Sequence, residues 1–117
     1  MANKYPNHAI PVERPVCAAL IQEILDLDLG FEVWISDGED TVYKGTNKLE
    51  ALKEMAGTGE DTISLVKRVE GENPVRYGWF YLIYNNGSDN EPMIVISDYS
   101  ANERCETIWK KLDKKFG

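Results

Sequence analysis

From Phe31 to Ser36 the side chains change sides at every residue, placing Phe31, Val33 and Ile35 together on one face of an extended chain. A period of two does not fit a helix, so this segment predicts a strand, and with it a sheet. Thr41–Lys44 resumes the extended pattern after Asp37-Gly38-Glu39-Asp40, a turn in which glycine is free to take positive φ. Thr62–Val69 alternates again, with Ile63, Leu65 and Val69 inward. Tyr77–Tyr84 is apolar or aromatic on both faces, as expected of a strand with neighbours on both sides. Met93–Ser97 makes a fifth strand after the breaker-rich stretch Asn85–Asn90, which holds the turn pair Asn86-Gly87.

Three segments carry helical spacing instead. Val16, Cys17, Leu20, Ile21, Ile24, Leu25 and Leu27 form a broad apolar stripe after Pro15, which suits a first helical turn, and Gly30 is placed to end that helix. Leu49, Leu52, Met55 and Ala56 share a face of a short helix that Thr46 would cap. Cys105, Ile108, Trp109, Leu112 and Phe116 line a last helix from Ser100 to Phe116, with Lys110, Lys111, Lys114 and Lys115 toward the negative end of its dipole. The order is α-β-β-α-β-β-β-α. Short turns make neighbouring strands antiparallel, so the expected fold is an α+β sandwich: a five-stranded, mainly antiparallel sheet with helices packed on it. Residues 1–14, with Pro6 and Pro11 and no periodicity, are expected to be a flexible lead-in to a single domain over 15–117.

Several kinds of chemistry find no support. The one histidine, His8, falls in the lead-in, with no second His or Cys at ligand spacing, so neither a metal site nor a cofactor is expected. Cys17 and Cys105 fall in helical segments far apart and read as buried thiols. Gly57-Thr58-Gly59 lacks the Lys-Ser/Thr of a phosphate loop, and Asp37–Asp40 is far shorter than an EF-hand loop. No apolar run reaches the roughly 18–20 residues of a membrane span, and the N-terminal stretch lacks the apolar core of a signal peptide. The expectation is a cytoplasmic protein.

Asp98-Tyr99-Ser100 closes the last strand. Ser100-Ala101-Asn102-Glu103 matches the capping box S-x-x-E, and Asp98 lies near the positive end of the following helix, so these residues predict a strand-to-helix handover. A catalytic reading would need a base within reach of Ser100 or Tyr99, or a second carboxylate from Asp37, Glu39 or Asp40 brought to Asp98. Tyr77, Trp79, Phe80, Tyr81 and Tyr84 could form a base-stacking platform, but only Arg68 and Arg76 stand near in sequence, so core packing and a protein interface are favoured.

Charge narrows the partners. The chain carries −7, and Glu13–Asp61 alone holds twelve acids against four bases. Such a surface repels a phosphate backbone, disfavours direct nucleic-acid binding, and suits either plain solubility or a protein partner with a basic surface.

The stretches GFEVWISDGED (30–40), GEDTISL (59–65) and GWFYLIYNNG…VISDYS (78–100) together resemble small bacteriophage and prophage proteins that share an acidic hairpin, a Gly-Trp strand and a closing Asp-Tyr-Ser/Thr. The resemblance implies an infected bacterium as the setting and attaches no activity. The leading expectation is a non-enzymatic acidic interaction protein that binds and modulates a host or phage protein, in one version by mimicking nucleic-acid charge. Its expected contact surface is Trp34, Asp37, Glu39, Asp40 and Tyr43. The alternatives are a small-molecule binder or hydrolase with a pocket near Asp98 and Tyr99, or a self-associating structural protein, including a homodimer.

Overall fold

The computed structural model describes residues 14–27, 31–55, 57, 59–68, 71–84 and 96–116. The elements run α1 (Arg14–Leu25), β1 (Phe31–Ser36), β2 (Thr41–Gly45), α2 (Lys48–Glu54), β3 (Glu60–Lys67), β4 (Val75–Ile83), β5 (Ile96–Tyr99) and α3 (Glu103–Phe116). The expected order and α+β class are what is found. The strands lie side by side as β2-β1-β3-β4-β5, and all four pairings are antiparallel. The expected lead-in with His8, Gly30, Val69, the Asn85–Asn90 turn and Met93–Val95 lie outside the described residues.

Alternation decides which face is covered. Phe31, Val33 and Ile35 of β1, Ile63 and Leu65 of β3, Phe80 and Leu82 of β4 and Ile96 of β5 are all buried in one cluster. The helices close over them with Val16, Cys17, Leu20, Ile21 and Ile24 of α1, Ala51 and Leu52 of α2, and Cys105, Ile108 and Leu112 of α3. α1 packs against β1 and both other helices, so the three helices form one layer on one side of the sheet. At roughly 1.5–3 kcal/mol for each large apolar side chain, this layer carries most of the stabilisation.

Two caps differ from expectation. Asn47, not Thr46, caps α2: its backbone is extended and its Oδ1 accepts from the Glu50 N–H at 3.1 Å. α3 begins at Glu103 and is capped by Asn102, whose Oδ1 accepts from the Cys105 N–H at 2.9 Å. The expected box at Ser100 does not form because the sheet has claimed that residue. Ser100 Oγ accepts from the Trp79 N–H at 3.0 Å, and the Ser100 N–H donates to the Trp79 carbonyl at 3.0 Å. Leu49 also departs, at 70% exposed on α2, because Ala51, Leu52 and Met55 already fill the space beneath that helix.

Asn102 also donates through Nδ2 to the Tyr77 carbonyl at 3.0 Å, so the start of α3 sits directly on β4. Gly78 makes room for it. A Cβ there would lie 2.5 Å from Cys105 Sγ and 3.0 Å from both Asn102 Nδ2 and Ser100 Oγ. Gly78→Ala should therefore lower stability by about 1–3 kcal/mol through overpacking. Gly59→Ala, where a Cβ meets nothing within 4 Å, should stay within roughly 0.5 kcal/mol. Urea unfolding of both variants measures the contrast, and equal midpoints would show that the contact does not anchor α3.

Candidate functional site

Three places bring polar side chains together. The first is the β1–β2 turn. Asp37 Oδ1 accepts from the Glu39 N–H at 3.0 Å and the Asp40 N–H at 2.9 Å, the Asp37 N–H donates to the Asp40 carbonyl, and Gly38 takes φ of 102°. The two backbone donors, Asp40 first and Glu39 second, hold the Asp37 carboxyl below the usual aspartate value. Glu39 and Asp40 are exposed and form no ion pair among the described residues. Glu60 lies against the turn, its Oε1 2.7 Å from where a Gly38 Cβ would be, and accepts from the Tyr81 hydroxyl through Oε2. Tyr81 is accordingly raised above the usual tyrosine range.

Trp34 and Tyr43, expected beside this turn, project to opposite sides of the sheet. Tyr43 pairs with Ile35 on the helix side, where its hydroxyl accepts from the Asn47 N–H at 2.8 Å and donates to the Asn47 carbonyl at 3.2 Å. It supports the approach to α2. Trp34 points to the other face, with Lys44 Nζ 4.2 Å from its ring centroid and its Nε1–H donated to Glu32, which also pairs with Arg68 at 3.1 Å.

That other face is the second place, and no described helix covers it. Register sets Lys44, Trp34, Ser64 and Trp79 in one row, and Thr41, Ser36, Thr62, Tyr81 and Asp98 in the next. A depression of about 450 Å³ opens over Trp34, Ser36, Thr41, Thr62, Ser64, Val66, Pro74 and Arg76. Single-sequence reading missed it because its residues come from β1, β2, β3 and the start of β4.

The third is the end of β5. Asp98 is exposed, and its Oδ1 accepts from the Tyr99 N–H at 2.8 Å rather than from α3. Tyr99 packs inward between Phe80 and Trp109, at centroid distances of 6.1 and 5.6 Å. Burial first, then Glu106, Asp98 and the Cys105 thiol, raise its hydroxyl above the usual range. Asp98 and Tyr99 line an open trough with Glu103, Glu106, Thr107 and Lys110. Asp37, Glu39 and Asp40 are absent from it, so the second carboxylate that a catalytic reading of Asp98 would need is not supplied by the hairpin.

In the interior, the Tyr84 hydroxyl donates to Asp61 Oδ2 at 2.6 Å, and both residues are buried. Burial, then the neighbouring Cys17 and Asp61, push Tyr84 far above its usual range. Both cysteines are free and buried. Among the described residues no group of three or more His, Cys, Asp or Glu side chains is placed to hold a metal ion, and no helix is long and apolar enough to cross a membrane. No family model, curated protein or solved structure matches the chain.

Two predictions follow from these bonds. Tyr84→Phe removes a donor from a buried carboxylate and should cost about 1–3 kcal/mol in urea unfolding; an unchanged midpoint would mean the bond is not formed. Asp37, with its folded pKa depressed, contributes stability that is fully present above the unfolded value and is lost as pH falls through the lower folded value. Carboxyl NMR should therefore show Asp37 titrating below the usual aspartate value, with its turn staying ordered until that titration. An Asp37 midpoint at or above the usual value would contradict its hydrogen bonds to the Glu39 and Asp40 N–H groups.

Proposed function

We propose that this chain is a non-enzymatic interaction protein that docks on a basic protein surface through the tip of its β1–β2 hairpin. The observation that carries this reading is the division of labour in the turn. Asp37 fixes the backbone, which leaves Glu39 and Asp40 exposed on an ordered tip, with no ion pair among the described residues. Ordered carboxylates lose less conformational freedom on binding than those of a loose acidic loop. The net charge of −7 adds long-range attraction to a basic partner and repulsion from nucleic acid. Trp34, on the strand leading into the turn, supplies an aromatic contact of the kind enriched at protein interfaces. Tyr43 is not part of this surface. The likeness to phage-encoded proteins suggests a bacterial cell as the setting, and the acid excess suggests as the partner a protein whose basic groove normally holds nucleic acid.

The paired variant Glu39→Gln/Asp40→Asn, which leaves Asp37 and the turn intact, tests the idea. Wild-type chain on a bead should retain a partner from bacterial lysate that the variant does not retain. With that partner purified, affinity should drop at least roughly tenfold in the variant and fall steeply between about 0.05 and 0.5 M salt. A partner held equally by both proteins, or held without regard to salt, would refute the acidic tip as the contact.

A further inference from the structure

The uncovered sheet face holds a site of a different character, which shares only Trp34 with the proposed docking surface. Its depression is lined by the hydroxyl-bearing residues Ser36, Thr41, Thr62 and Ser64, by Trp34 and Pro74, and by Arg76. Ser64 is 8% exposed, between Trp34 and Trp79 in the cross-strand row, and no hydrogen bond among the described residues uses its hydroxyl. Its hydroxyl opens onto the depression and is available to a ligand there. Arg76 is exposed and joins no ion pair among the described residues. Lys44 likewise joins no ion pair among the described residues and sits on the Trp34 ring. Of the residues that line the depression Arg76 alone is charged, and it is a cation in a chain with a large acid excess.

We infer that this depression binds a sugar ring carrying one phosphoryl or carboxylate group. Arg76 presents a planar fork of donors that matches an oxyanion bidentately. Ser and Thr hydroxyls both donate and accept, as the hydroxyls of a sugar do. Trp34 and Pro74 offer flat apolar surface to the C–H face of a ring. The volume falls within the range of small-molecule sites. Lys44 and Glu32 hold the indole from its face and from its N–H, so the ring-binding surface is ordered before the ligand arrives.

Glucose 6-phosphate, glucuronate, glucose and inorganic phosphate, titrated by calorimetry and by the indole N–H signals in NMR, test this. The two ring-bearing anions should bind saturably, and at least roughly tenfold tighter than glucose or inorganic phosphate. The comparison of glucose 6-phosphate with glucuronate identifies which oxyanion is preferred. The Trp34 signal should move while that of Trp109, on the helix side, does not. Arg76→Ala, at an exposed position, should keep the unfolding midpoint and weaken binding roughly tenfold or more, and Ser64→Ala should weaken it less. Absence of saturation up to about 10 mM for both ring anions would overturn the inference. So would equal binding of inorganic phosphate, binding that survives Arg76→Ala unchanged, or shifts confined to Trp109.

Discussion

The structure depends on a single constraint: successive side chains of an extended strand cannot face the same way. With five strands in antiparallel register, that geometry sends Phe31, Val33, Ile35, Ile63, Leu65, Phe80 and Leu82 to one side. Three helices cover that side, and α1, packed on β1 and on both other helices, closes the layer. The same geometry forces Trp34, Ser36, Thr62, Ser64, Trp79 and Tyr81 to the other side. Their placement follows from the core's demand and leaves a second surface whose side chains differ in kind from those of the first.

What sequence could reveal divides along the range of the interactions involved. The order of elements was legible, because period and breaker residues are local. The caps were not. Ser100 matched a capping box, but its hydroxyl and N–H had a better use in pairing with Trp79, twenty-one residues away. Asn47 took the cap from Thr46 with Tyr43 reaching over from β2 to its backbone. The hairpin's acidity was visible in four consecutive residues, whereas the separation of Trp34 from Tyr43 needed the register of β1 against β2. The depression was hidden for the same reason. Ser64 and Trp34 become neighbours only when β3, after an intervening strand and helix, returns to pair with β1.

Polar residues in the interior are tied in. Asp61 at the start of β3 and Tyr84 just past the end of β4 share a hydrogen bond that fixes the two strands in register at that end of the sheet. At the opposite end of β4, Gly78 admits Cys105, Asn102 and Ser100, and so seats α3 on the strand. Thus β4 is held at both ends by contacts that tolerate little change of size or polarity. Its outward residues, Trp79 and Tyr81, are free of that demand.

This freedom bears on where function can reside. A buried side chain is fixed by packing, so most changes to it cost stability first. Trp34, Lys44 and Arg76 carry no such obligation to the core, yet two of them are held in place by one another and by Glu32. Ordering a lysine on the face that the core does not use costs conformational entropy and gains little through burial, since Lys44 is exposed. A cation–π contact at a partly exposed site returns only about 0.5–1 kcal/mol. Such an arrangement is better accounted for by what it presents than by what it stabilises. The hairpin tip repeats the pattern, with Asp37 satisfying the turn while Glu39 and Asp40 face outward. Both surfaces combine an inward-directed group that fixes the backbone or ring with outward polar groups, and the two proposals rest on this pairing of rigidity with open polar side chains.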